Sequence, residues 1–147
     1  MKVTALETLA CDAGWRNYHF VKLTTSDGIV GWSEFSEDFG SPGITAVIRR
    51  LAGKVTGQQV SDHERIYAEL YAATRPAAGG VVAQGIAAIE NALLDAKAKA
   101  LGVPVYALLG GKLRDRIPLY WSHCATGSAP TSACCSISTS TPRPKAI

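Results

Sequence analysis

The 147-residue chain carries three histidines, four cysteines and twelve acidic residues, the side chains that hold metals, move protons or attack carbonyls. Spacing decides whether they can. Cys11, Cys124, Cys134 and Cys135 show no C-x-x-C interval, and His19, His63 and His123 have no partner at metal-binding spacing. Gly110-Gly111-Lys112 ends like a phosphate loop. It lacks the earlier glycine of that motif, because Tyr106 occupies the position, and Leu113 stands where a Ser or Thr would follow. It reads as the end of a helix.

The composition narrows the classes further. At 47% hydrophobic and 18% charged, the chain can bury a core. A net charge of +3 is too mild to argue for nucleic acid or a membrane surface. No apolar run approaches the ~18 residues a membrane span needs. Glu7 and Asp12 interrupt the start, so no signal peptide is expected, and a cytoplasmic chain with reduced thiols follows.

Any site must be positioned by the elements before residue 126. Val3 to Leu9 alternates in part, with Val3, Ala5 and Leu9 on one side, and predicts a first strand. A loop from Cys11 to Asn17 leads to a second strand at Tyr18–Thr25, with His19, Val21 and Leu23 on one face. Ser26-Asp27-Gly28 predicts a hairpin turn into a third strand, Ile29–Phe35. Helices follow. Ser41-Pro42 predicts a capped start, Ile44, Val47, Ile48 and Leu51 the buried face, and Gly53 the stop. Ser61 and Glu64 match a capping box, ahead of a face made by Ile66, Tyr67, Leu70 and Tyr71 that ends at Arg75-Pro76. Gly79-Gly80 reads as a joint. The strongest helix spans Gln84 to Leu101, with a stripe of Ile86, Ile89, Leu93, Ala96 and Ala100, closed by Gly102. Pro104 opens a short helix through Leu109, and Ile117–Ser122 starts another strand. Strands followed by helices predict an α+β domain.

After Ala125 the texture changes. Ser, Thr and Pro dominate, no acid follows Asp115, and only Ile137 and Ile147 are large aliphatics. Such a stretch cannot offset its ordering entropy. It is expected to be an aberrant, out-of-frame end, with a natural linker as the alternative.

Three segments in order carry a resemblance: Asp27-Gly28-Ile29-Val30-Gly31-Trp32-Ser33-Glu34, the run from Ala87 to Tyr106, and the run from Leu108 to Tyr120 with its Leu-Leu-Gly-Gly and Arg-Asp-Arg pieces. Over roughly residues 1–124 the chain resembles the N-terminal region of the mandelate racemase and muconate lactonizing enzyme branch of the enolase superfamily. The resemblance implies a three-stranded antiparallel meander and a helical bundle capping a modified β/α barrel. It implies a capping domain at 1–116, the start of a barrel at 117–125 and the aberrant or disordered tail at 126–147. Family members remove a proton α to a carboxylate, as acid-sugar dehydratases, racemases or cycloisomerases, with Mg²⁺ stabilising the enediolate.

By the same resemblance, two loops of the cap close over the barrel mouth and select substrate. Trp15, Arg16 and Tyr18 would stand in the first and Glu37, Asp38 and Phe39 in the second, with Arg16 able to hold a carboxylate. The plainer reading packs Trp15 and Tyr18 locally and leaves Arg16 and the acids solvated. His123 would end the first barrel strand. A barrel takes about 250 residues, and Lys145 stands alone among prolines, so neither barrel carboxylates nor a paired-lysine base are expected in the residues after Asp115. The expectation is therefore a family member truncated before its barrel, inactive alone and binding no Mg²⁺ itself. Its intact relatives would take a carboxylate or acid-sugar substrate, and the chain would form a homo-oligomer. The alternative is a non-catalytic binding or oligomerisation module; a product without function is a third reading.

Overall fold

The opening residues form an antiparallel meander in the order β1-β2-β3, with β1 at Val3–Asp12, β2 at Asn17–Thr25 and β3 at Val30–Phe35. The computed structural model describes residues 1–14, 16–38 and 41–118. Trp15, Phe39, His123, Cys124, most of the expected strand at 117–122 and the 126–147 tail lie outside the described residues. A unit running from Met1 to Arg116 holds all the elements that follow.

The β2–β3 turn is the expected hairpin. Gly28 takes a left-handed φ of 78°, and its amide bonds to the Thr25 carbonyl at 3.1 Å. In β1 the register shifts between Val3 and Ala5, a bulge that leaves Thr4 unpaired. One extra residue reverses the alternation beyond it. Leu6 therefore packs on the core, while Leu9, expected on Val3's side, is 43% exposed on the opposite face. β1 also runs to Asp12, so the expected Cys11–Asn17 loop shrinks to a tip whose Ala13 amide bonds to the Arg16 carbonyl at 3.0 Å.

Three helices cover the other face of the sheet: α1 (Ile44–Val55), α2 (His63–Thr74) and α3 (Gly80–Leu101), with a single turn, α4 (Val105–Leu108), after them. Val21, Leu23 and Phe35 of the sheet meet Ile44, Ile48, Leu51 and Val55 of α1, Ile66 and Leu70 of α2, and Ile86, Ile89, Ala92, Leu93 and Ala96 of α3. Each fully buried Leu, Ile or Val contributes about 1.5–3 kcal/mol by leaving water. Among the described residues, no helix is long and apolar enough to cross a membrane.

Several helix boundaries differ from expectation, each for a local reason. α1 starts after Gly43, at φ 101°, and not at Ser41-Pro42. Gly53 lies inside α1 without a left-handed φ, and the helix runs on to Val55; the left-handed residue after it is Gly57, φ 87°. The capping box does not form, because Ser61 Oγ bonds to Asp62 Oδ1 and sits in a 3₁₀ turn, Val60–Asp62, ahead of α2. On α2, Tyr67 and Tyr71 are 42% and 48% exposed and stack on each other, outside the buried face. α3 begins at Gly80, a turn earlier than expected, with the Gly79-Gly80 joint as its entry. Ala88 and Ala92 join its buried stripe, and Ala100 is exposed. Gly102 closes α3 as expected: its amide bonds to the Lys99 carbonyl and that of Val103 to Ala98, around a φ of 67°.

Two contacts fix the sheet on α3. Gly31 lies so close to the helix that a Cβ there would overlap the Ala92 carbonyl oxygen and come within 2.9 Å of the Ala96 Cβ. The outer edge of β3 is also occupied, since Asp95 Oδ2 accepts the Trp32 amide at 2.8 Å and Lys99 Nζ donates to the Val30 carbonyl at 2.8 Å.

Candidate functional site

Two loops leave the sheet at one end. The β1–β2 tip extends past the pair Asp12–Asn17, while β3 stops at Phe35, opposite His19. The first loop therefore overhangs the start of the second, which runs from Ser36 to Gly43 into α1.

At the tip, Gly14's amide bonds to Asp12 Oδ1 at 2.7 Å, and Gly14 takes φ 83°, which together form a tight Asx-type turn. Arg16 folds back over the sheet's outer face. Its guanidinium carbon lies 3.9 Å from the Tyr18 ring centroid, and Nη2 donates to Glu34 Oε1 at 3.1 Å. The Glu34 side chain is 53% exposed, so this pair is worth at most about 1 kcal/mol. The structure thus brings Arg16, Tyr18 and Glu34 together.

Glu37 has a different set of partners. Its carboxylate accepts the Gly43 amide and the Thr45 amide, each at 2.8 Å, and the Thr45 hydroxyl. It closes the N-terminus of α1 from outside the helix, where a negative charge suits the helix dipole. Burial pushes the Glu37 carboxyl up, but the Thr45 hydroxyl, the Thr45 and Gly43 amides and the charge of His19 outweigh it and hold the pKa below the ordinary 4.5. A carboxyl with a depressed native pKa stabilises the fold fully above its unfolded value, and the contribution disappears as pH falls through the native one. Glu37→Gln is therefore expected to cost about 1 kcal/mol at pH 7. It should also flatten the loss of stability below pH 4.5, read as Tm against pH. An acid limb unchanged by the substitution would show that this carboxylate is not coupled to folding. Sequence reasoning missed the role; the only signal was an acid ahead of a helix whose own Ser-Pro cap sits too early.

Between the loops, the His19 ring stacks at a tilt on Phe35, centroids 5.6 Å apart. Its Nδ1 is buried without a hydrogen-bond partner among the described residues. A separate polar cluster gathers Ser61, Asp62, His63, Arg65 and Lys97 at the start of α2. There the Ser61 hydroxyl and Arg65 lower the Asp62 pKa, and Arg65 bridges Asp62 and Glu69. His63 lies in that cluster, with Nδ1 3.3 Å from Lys97 Nζ, and not in either loop. Among the described residues, no three His, Cys, Asp or Glu side chains form a group that could hold a metal ion.

Residues 5–110 match the N-terminal domain of the mandelate racemase / muconate lactonizing enzyme family. The chain belongs to that family. Its meander and helices are the family's N-terminal capping fold. Among relatives, it is 39% identical over 120 residues to a D-galactonate dehydratase from Xanthomonas axonopodis pv. citri (strain 306), an alignment covering 82% of this chain and 31% of that protein. A Burkholderia xenovorans strain LB400 protein, provisionally assigned as an L-alanine-DL-glutamate epimerase and crystallised with magnesium and fumarate, shares 70% identity at a TM-score of 0.82. That match covers 85% of this chain and 31% of the Burkholderia one. The 3,6-anhydro-D-galactonate cycloisomerase from Zobellia galactanivorans is 31% identical at a TM-score of 0.69, covering 76% of this chain and 32% of its own. The chain therefore spans about a third of the length of these relatives.

Proposed function

We propose that residues 1–116 form the substrate-facing cap of a Mg²⁺-dependent enzyme that removes a proton α to the carboxylate of an acid sugar. In this reading the β1–β2 tip selects the substrate. The metal ligands and the base belong to the barrel, which 117–125 would begin. Magnesium, when bound there, would stabilise the negative charge that builds on the carboxylate as the proton leaves.

The observation that carries the reading is Arg16, placed at the sheet end where both loops emerge, with Nη2 on Glu34 and its guanidinium over the Tyr18 ring. A guanidinium so placed can exchange Glu34 for a substrate carboxylate, and Tyr18 remains beneath it as a stacking surface. Trp15, next to Arg16, would help exclude water. Glu37 holds the second loop onto α1 through Gly43 and Thr45. The relatives' names support the substrate class, since D-galactonate, 3,6-anhydro-D-galactonate and fumarate all carry a carboxylate.

A chimera tests this. Residues 1–116 would replace the matching segment of the 70% identical Burkholderia protein. It would then be assayed with Mg²⁺ against a panel of sugar acids for the 2-keto-3-deoxy acid that dehydration yields. Turnover of at least one sugar acid is expected, with Arg16→Ala raising KM on the order of 10–100-fold while kcat falls less. The 147-residue chain alone should show no turnover. If Arg16→Ala leaves KM unchanged in an active chimera, the tip does not hold the carboxylate. If the chimera acts only on dipeptides or other non-sugar acids, the substrate class is wrong.

A further inference from the structure

The two edges of the sheet are not equivalent. On β3, Asp95 and Lys99 occupy the outward amide of Trp32 and the outward carbonyl of Val30. On β1, only the first residues are covered: Val3 exchanges bonds with Gly57 and Gln58, and Val60's amide bonds to the Met1 carbonyl. From Leu6 to Asp12 no backbone group among the described residues pairs with the outer edge.

The ladder fixes which groups that edge offers. Thr25's amide bonds to the Ile29 carbonyl on the β3 side, so its strand neighbours of the same parity also face β3. Lys22 and Phe20 then face β1, and their partners Glu7 and Leu9 turn inward. Leu6, Thr8, Ala10 and Asp12 are left with their amides and carbonyls directed outward. The segment contains no proline, and its bulge lies before it, so nothing in it blocks pairing with another strand.

We propose that this edge pairs antiparallel with the same edge of a second copy, about a two-fold axis through Leu9. Only registers that match outward residues with outward residues can bond. Centring on Leu9 pairs Thr8 with Ala10 and Leu6 with Asp12 of the other copy, which uses the whole free run. Centring on Thr8 would bring the two Arg49 side chains together, because Arg49 Nε donates to Thr8 Oγ1 at 3.2 Å. Centring on Ala10 would leave Leu6 and Glu7 unpaired. In the Leu9 register Arg49 lies diagonally across from Asp12 of the other copy, within reach of a long side chain. Among the described residues, Arg49 forms no salt bridge within its own chain, so its charge is available for that contact. Opposite the core, Leu9 meets its counterpart across the axis. The apolar hollow lined by Leu9, Ala10, Cys11, Phe20 and Trp32 then continues from one copy into the next.

Sedimentation equilibrium of the 147-residue chain should give a dimer, and Arg49→Glu should weaken it on the order of tenfold by facing Asp12 with a like charge. In a chain carrying Cys11→Ser, Cys124→Ser, Cys134→Ser and Cys135→Ser, Leu9→Cys should close a disulfide between copies under mild oxidation, and Thr8→Cys should not. Non-hydrogen-bonded pairs sit close enough for that bond. Circular dichroism would confirm that each variant is folded, and Arg49→Glu, an exposed change, tests the surface even if Leu9→Cys does not fold. A monomer at every concentration, a ladder of aggregates without a discrete dimer, or cross-linking through Thr8→Cys and not Leu9→Cys would each overturn the proposal. None of these readouts depends on the acid-sugar reading.

Discussion

Gly31→Ala is expected to destabilise the domain by about 3 kcal/mol or more, seen as a fall in Tm of roughly 10 °C or greater. The added methyl would collide with the Ala92 carbonyl and the Ala96 methyl, and the first of these is helix backbone that no rotamer change can move. β3 would have to lift off α3. That would strain the Asp95–Trp32 and Lys99–Val30 bonds on the same edge and open the packing around Ala92, which is fully buried. Gly53→Ala is the matching control. A Cβ there meets nothing within 4 Å, and the residue sits inside α1, so the substitution should stabilise by about 0.5–1 kcal/mol. Thermal melts of the two variants should move in opposite directions. If Gly31→Ala melts with the parent, the strand and helix are not as closely apposed as described.

Asp95→Ala is expected to cost about 2 kcal/mol, because it removes a charge-assisted bond to the Trp32 amide and the partner of Lys99 at once. Asp95 is only 26% exposed and lies 2.6 Å from Lys99, so this pair loses less to solvent screening than the other ion pairs. Its second effect concerns assembly. With Asp95 gone and Lys99 unanchored, β3 presents unpaired groups to any other strand, and light scattering should rise at concentrations where the parent stays clear. Asp95→Asn separates the two effects. The amide oxygen still accepts from Trp32, so the edge should remain protected while part of the stability is lost. Increased scattering in Asp95→Asn equal to that in Asp95→Ala would argue that charge alone, and not edge coverage, keeps the chain apart.

Much of this architecture is legible in the sequence. The alternation of Tyr18–Thr25, the Asp27-Gly28 turn, the stripe from Ile86 to Ala96 and the Gly102 stop are all signals between residues a few positions apart. The family segments were readable for the same reason, since they lie on contiguous elements. The pattern puts Leu9 on Val3's side, but a single unpaired residue, Thr4, inverts the later side chains and leaves no trace in the hydrophobic pattern. Helical spacing places Tyr67 and Tyr71 on the core face of α2, but an aromatic at that spacing looks the same whether it is buried or at the rim.

The sequence by itself determined the elements, their order and the family, because helix and strand periods, turn residues and caps are set by near neighbours. Through the family resemblance it also pointed to Arg16 as a side chain able to hold a carboxylate and to Tyr18 as one able to exclude water. Only the tertiary structure decided what those side chains rest on. Arg16 is held by Glu34, and Glu37 closes α1 through Gly43 and Thr45. Gly31 is needed because Ala92 and Ala96 leave no room for a Cβ, and Asp95 reaches a backbone amide 63 residues away. Such partners are chosen by the packing of α3 on the sheet. The free energy of each contact depends on distances between groups far apart in the chain, which local composition does not encode.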